Sequence, residues 1–111
     1  MTVNVERNDD LKIIALDGKL QATNADSVRD EVIALIDKKP TIISMGKCTY
    51  VSSAGLRAML MIAKTAKARK VKVVYAAATE EVTDVLKMTG FIKMLKCVET
   101  VADAEKLVIS L

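Results

Sequence analysis

Apolar and polar residues alternate at the start of the chain, with Val3 and Val5 set against Asn4 and Glu6, the period of a half-buried strand. Asn8-Asp9-Asp10 is a turn signal, and Leu11 to Leu16 resumes as a second strand, which predicts an antiparallel hairpin. Asp17-Gly18 ends or bulges that strand, with Lys19-Leu20-Gln21 as its continuation. The period then changes. Ala25, Val28, Val32, Leu35 and Ile36 recur at helical spacing, opposite Asp26, Arg29, Asp30 and Glu31. Ala22-Thr23-Asn24 offers the cap, Lys38-Lys39 complements the far dipole end, and Pro40 stops this helix. Thr41 to Met45 reads as a short buried strand and Gly46 to Val51 as a loop. A second helix is expected from about Ser53 to Lys70, with Leu56, Met59, Leu60, Ala63 and Ala66 as its apolar stripe.

The β-branched run Val71 to Ala76 reads as a strand. Thr79 caps a short helix over Glu80 to Thr89, Val82, Val85 and Leu86 face inward, and Gly90 takes the position after the helix end. A short final strand is expected around Met94 to Cys97. Thr100-Val101-Ala102-Asp103 resembles a capping box and opens a last helix carrying Ala104, Leu107, Val108 and Leu111. The order ββαβαβαβα predicts a single α/β domain over residues 1–111, with a mixed central sheet of about five strands and four helices.

Composition removes most chemistries. At 111 residues and 51% apolar content the chain can bury a core without cross-links, and with 3% aromatic residues that core is aliphatic. A net charge of +3, one Phe, two Tyr and no Trp give little electrostatic or stacking support for nucleic acid. The absence of histidine removes the commonest general base and metal ligand. Cys48 and Cys97 form no CxxC motif and read as free, largely buried thiols of a reducing compartment. The first residues lack the basic and hydrophobic regions of a leader, and no apolar run reaches a membrane span. The expectation is a cytoplasmic binding module: no catalytic residues, no cofactor, no metal, no nucleic acid and no membrane insertion.

Known phosphate-cradling signatures are missing, and Ser53-Ala54-Gly55 does not form a GxSxG elbow. The serine pair Ser52-Ser53 nevertheless stands where a buried strand gives way to a helix, beside free amides and a favourable dipole end. The plain reading is an N-cap, which serine favours. If Ser52 is the cap, the Ser53 hydroxyl points to solvent, and Ala54 and Gly55 leave room for a partner's backbone. Lys64, Lys67, Arg69 and Lys70 load the end of the same helix, as a dipole match or as a phosphate- or lipid-binding patch.

Strand, loop, apolar pair, serine, small residue, Gly55-Leu56 and helix together resemble the core of the STAS domain, seen in bacterial anti-sigma factor antagonists and in sulfate-transporter tails. Leu16 to Leu20 looks like that family's Gly-Glu-Leu strand end, Thr41 to Leu60 like its central motif, and Val71 to Val74 with Val85 to Phe91 like its closing strand and helix end. The resemblance implies a STAS fold and phosphorylation at Ser53 by a Ser/Thr protein kinase-type anti-sigma factor. A PP2C-type phosphatase is a candidate second partner. It implies partner binding through Ser52, Ser53, Gly55, Leu56 and Arg57, with Thr23 and Asn24 beside them. The sequence departs from the antagonists' Asp-Ser-Ser/Thr-Gly-Leu text at Ser52 and Ala54, and is uncharged at Gln21 and Ser44, two further positions often acidic in the family. An unphosphorylated STAS scaffold in a transport or signalling complex is the alternative within the family.

Overall fold

The computed structural model describes residues 1–109; Leu111, expected on the last helix, lies outside them. Strands β1 (Thr2–Arg7) and β2 (Lys12–Leu20) form the expected antiparallel hairpin. Its turn is held by Asn8, whose Oδ1 accepts from the amides of Asp10 and Leu11, each at 2.8 Å. Strands β3 (Thr41–Val51), β4 (Val73–Ala76) and β5 (Cys97–Val98) add in parallel, so the sheet runs β1-β2-β3-β4-β5. Helices α1 (Ala25–Leu35), α2 (Ser53–Ala68) and α3 (Glu80–Thr89) each connect neighbouring parallel strands, and crossovers of one hand put successive helices on one sheet face. Accordingly Val32, Met59 and Leu86 share the main core with Ile14, Ile43 and Tyr75. The alternate strand residues Ile42 and Val74 face the other way, under Ala104 and Val108 of α4 (Val101–Ile109). The buried Tyr75 hydroxyl donates to the Met59 carbonyl at 2.7 Å and ties α2 to the sheet.

Four expectations are corrected. The loop expected at Gly46 to Val51 is the second half of β3. Its register explains why alternation failed to show it. Ala15 pairs with Ser44 but Asp17 with Lys47, and Gly18 pairs with Cys48 but Lys19 with Tyr50. Each step puts an extra residue into β3, so its buried positions fall at Met45, Cys48 and Val51, three apart instead of two. Second, α1 ends at Leu35, well before Pro40, and its last turn holds no basic residue. Lys12 and Arg69 reach in instead of Lys38-Lys39. The Lys12 ammonium, 2% exposed, donates to the Leu35 carbonyl and to Asp37 Oδ2. Arg69 Nη1 donates to the carbonyls of Ile33 and Ile36 at 3.2 and 3.3 Å. Third, the inward stripe of α2 is wider than its expected members, because Ala58 and Ile62 are buried while Leu60 and Ala63 are only half-buried. Fourth, β5 is shorter and later than Met94 to Cys97, because Phe91–Lys93 forms a 3-10 turn that ends on Met94. The caps at Thr79 and Thr100 stand as expected, accepting from Val82 and Asp103 amides, and Gly90 ends α3 at φ 79°, a left-handed position that favours glycine.

Lys12 is the stability element at the end of the sheet away from the serines. Lys12→Met keeps an apolar stem but leaves the Leu35 carbonyl without its donor, and should cost about 1–3 kcal/mol in urea denaturation. The Asp37 carboxyl is held below its ordinary value, first by the Lys39 amide and then by the Lys12 ammonium. A depressed folded-state value stabilises the fold above the unfolded carboxylate pKa of about 3.9, and that contribution is lost as pH falls below it. Asp37→Asn should therefore flatten the acid limb of a stability–pH curve while leaving neutral-pH stability less affected than Lys12→Met does.

Candidate functional site

The site is built where the C-terminal ends of β2 and β3 meet the first turn of α2. Register pairs Lys19 with Tyr50 and Leu20 with Val51, so the residues after each strand emerge side by side. Ser52 is the cap. Its extended backbone (φ −83°, ψ 175°) directs Oγ to accept from the Gly55 amide at 3.2 Å, and its carbonyl accepts from Leu56. Its own amide donates to the Leu20 carbonyl at 2.9 Å. Ser53 is thereby the first helical residue and is exposed. Its amide and that of Ala54 precede the first residue able to bond within the helix. The hydroxyl therefore stands at the positive end of α2.

Gly55 and Leu56 were expected at the partner surface, and the structure places both beneath it. Leu56 is 3% exposed and belongs to the core. A Cβ at Gly55 would stand 2.7 Å from the Leu20 carbonyl oxygen and 2.9 Å from Val51 Cγ1. The backbone that approaches Gly55 closely is the chain's own. These residues position Ser53; they do not present themselves.

Arg57 is exposed one helical turn beyond Ser53, and among the described residues its side chain has no ion pair or hydrogen bond. Thr23 is exposed and Asn24 half-buried. The Asn24 side chain is already occupied: Oδ1 accepts from the Gln21 amide at 2.9 Å and Nδ2 donates to the Lys19 carbonyl at 2.8 Å. It braces the loop beside Leu20 and makes no side-chain cap for α1. Sequence reasoning missed Tyr50 and Met61, 49% and 47% exposed. The spacing Ser53, Arg57, Met61 is the i, i+4, i+8 signal of one helix face and could have found the second. Tyr50 was hidden by the same bulge that hid its strand.

Cys48 is buried and Cys97 half-buried, both free, and burial pushes both thiols up, so neither is a ready nucleophile. Among the described residues there is no group of three or more His, Cys, Asp or Glu able to hold a metal, and no helix long and apolar enough to cross a membrane. Between Lys38 and Thr79 lie nine of the 17 basic residues and none of the 14 acidic ones. Ser53 therefore sits in the acid-free part of the chain.

The sequence matches the model of the STAS domain over residues 2–104. The chain belongs to the STAS family. Among its STAS relatives, BtrV of Bordetella bronchiseptica carries a provisional assignment as an anti-sigma factor antagonist. It is 28% identical over 96 residues, spanning 85% of this chain and 83% of BtrV. A Thermotoga maritima protein with the same provisional assignment superposes with a TM-score of 0.84 at 20% identity, over 96% of this chain and 93% of that one. The anti-sigma factor antagonist SpoIIAA, in its unphosphorylated form, gives 0.77 at 16% identity, over 99% and 98%. At those identities the two solved structures establish the STAS fold.

The seam makes a specific demand on sequence. Gly55→Ala drives a methyl group onto the Leu20 carbonyl and should destabilise by about 1–3 kcal/mol. Ser52→Ala, which loses only the cap, should cost about 1 kcal/mol. Chemical denaturation of both variants tests this: the glycine variant should be no more stable than the cap variant.

Proposed function

We propose that this chain is an anti-sigma factor antagonist, a non-enzymatic cytoplasmic module that binds a Ser/Thr protein kinase-type anti-sigma factor and is switched by phosphorylation of Ser53. The observation that carries the reading is the contrast within the serine pair. Ser52 Oγ is engaged in capping, whereas Ser53 is exposed at the helix start. The name of the relative BtrV and the STAS membership support an anti-sigma factor as the partner.

Transfer of a phosphoryl group from ATP to Ser53 Oγ replaces the hydroxyl proton with a group of about −1.5 to −2 charges. The amides of Ser53 and Ala54 and the nearby Arg57 can take up that charge, so the fold need not change. Ser52 performs the capping that an aspartate would perform, without placing a negative charge next to the incoming phosphate. The contact surface is Ser53, Arg57 and Tyr50 with Thr23 at its edge, while Ser52, Gly55, Leu56 and Asn24 shape it from below. A phosphate brought into a desolvated contact with the partner need cost only ~2.7 kcal/mol to weaken binding a hundredfold. A PP2C-type phosphatase would restore the hydroxyl.

Incubation with a kinase-type anti-sigma factor and ATP, followed by peptide mass spectrometry, should place one phosphate on Ser53 and none on a Ser53→Ala variant. Ser53→Asp should keep the circular dichroism spectrum and lose partner binding about a hundredfold. Unmodified Ser53 together with undiminished binding of the aspartate variant would instead favour an unphosphorylated scaffold in a transport or signalling complex.

A further inference from the structure

A second surface lies at the far end of α2. Two adjoining hollows of ≈320 and ≈220 Å³ share Ala63, Lys67 and Met94. Their floor continues onto Leu60 in one direction and Val73 in the other, and their rim carries Lys64, Lys70, Lys72 and Lys96. Among the described residues, no acidic one lines either hollow. Among the described residues the ion pairs involve only Lys12 and Arg29, so none of these rim lysines is paired.

The lysines are not needed to finish the helix. The last carbonyls of α2 are taken by backbone amides: Thr65 by Arg69, Ala66 by Val71 and Lys67 by Lys70. Unpaired like charges around an apolar floor repel one another and gain nothing within the fold. Met94 is 57% exposed on that floor, a flexible side chain suited to moulding around an apolar ligand.

We propose that this cleft docks an acidic, amphipathic helical segment of a protein partner, at a site separate from Ser53. Charge complementarity selects an anion, and the arrangement selects a segment over a single phosphate. Lys67, Lys70, Lys72 and Lys96 rim the larger hollow and Lys64 the adjoining smaller one, so the charge extends over both hollows. This end of α2 is the negative pole of the helix dipole, which disfavours a buried phosphate. From Leu60 to Lys67 the groove runs about 10 Å along α2, roughly two turns of a docked helix. An apolar face would sit on Ala63, Val73 and Met94, with carboxylates reaching the rim. Ser53 lies fourteen residues before Lys67, about 21 Å along α2, so both surfaces can be occupied together.

The test uses the full chain and a fluorescent synthetic amphipathic helix with leucines on one face and glutamates on the other. Its control carries lysines in place of the glutamates. The acidic peptide should bind saturably by anisotropy, weaken with added salt, and shift amide resonances around Ala63, Val73 and Met94 but not at Ser53. The Lys67→Glu/Lys96→Glu double variant should bind it at least about tenfold more weakly, whereas Ser53→Asp should bind it unchanged. Equal binding of the basic control, shifts centred at Ser53, or no saturable binding would overturn the proposal. So would capture by phosphatidylserine vesicles without peptide binding, which would make the patch a lipid contact.

Discussion

The end of the molecule that carries Ser53 depends on the Leu20 carbonyl. It closes β2, accepts the amide of Ser52 and lies where a side chain on Gly55 would have to be. One oxygen thereby fixes the spacing between the sheet and the first turn of α2. Glycine is required because any Cβ would push the turn outward, and serine precedes it because the turn needs a short acceptor for the Gly55 amide. Ser53 gains its exposure from these two neighbours. The seam is held by backbone contacts and a cap, so no charged group takes part in positioning Ser53.

The opposite end of the sheet is held differently. There the carbonyls at the end of α1 meet two cations delivered by distant parts of the chain, Lys12 from β2 and Arg69 from the end of α2. The division is physically sensible. Lys12 and Arg69 both reach α1 at the end of the sheet away from the serines, and the two ends are separated by a sheet and core of aliphatic side chains.

Local chemistry made much of this legible in the sequence. The hairpin, the span of α3 with Thr79 and Gly90 at its ends, and the order of elements follow from period and capping residues alone. The tail of β3 did not, because two extra residues turn a period of two into a period of three, a pattern that belongs to neither strand nor helix. The end of α1 was misplaced because its terminating partners, Lys12 and Arg69, are remote in sequence and nothing near Leu35 announces them. The serine pair was divided correctly into cap and exposed residue, since capping is a local geometry. Gly55 and Leu56 were misassigned to the surface because a motif gives residue types without the direction each one faces. Only the packing against Leu20 and Val51 decides that glycine is there for the chain itself.

Charge distribution carries the last step. The net charge of +3 conceals a chain divided in two, since the stretch from Lys38 to Thr79 holds +9 and the remainder −6. That stretch supplies β3, α2 and β4, the middle of the sheet and the helix on which both candidate surfaces lie. An aspartate in place of Ser52 would have put a negative charge at the head of α2, beside the exposed Ser53. Its absence leaves the positive end of the helix and Arg57 to act on Ser53 unopposed. The same depletion of acids leaves the lysines at the helix's other end without internal partners. One bias in composition thus sets the character of both ends of α2, and it favours anions at each.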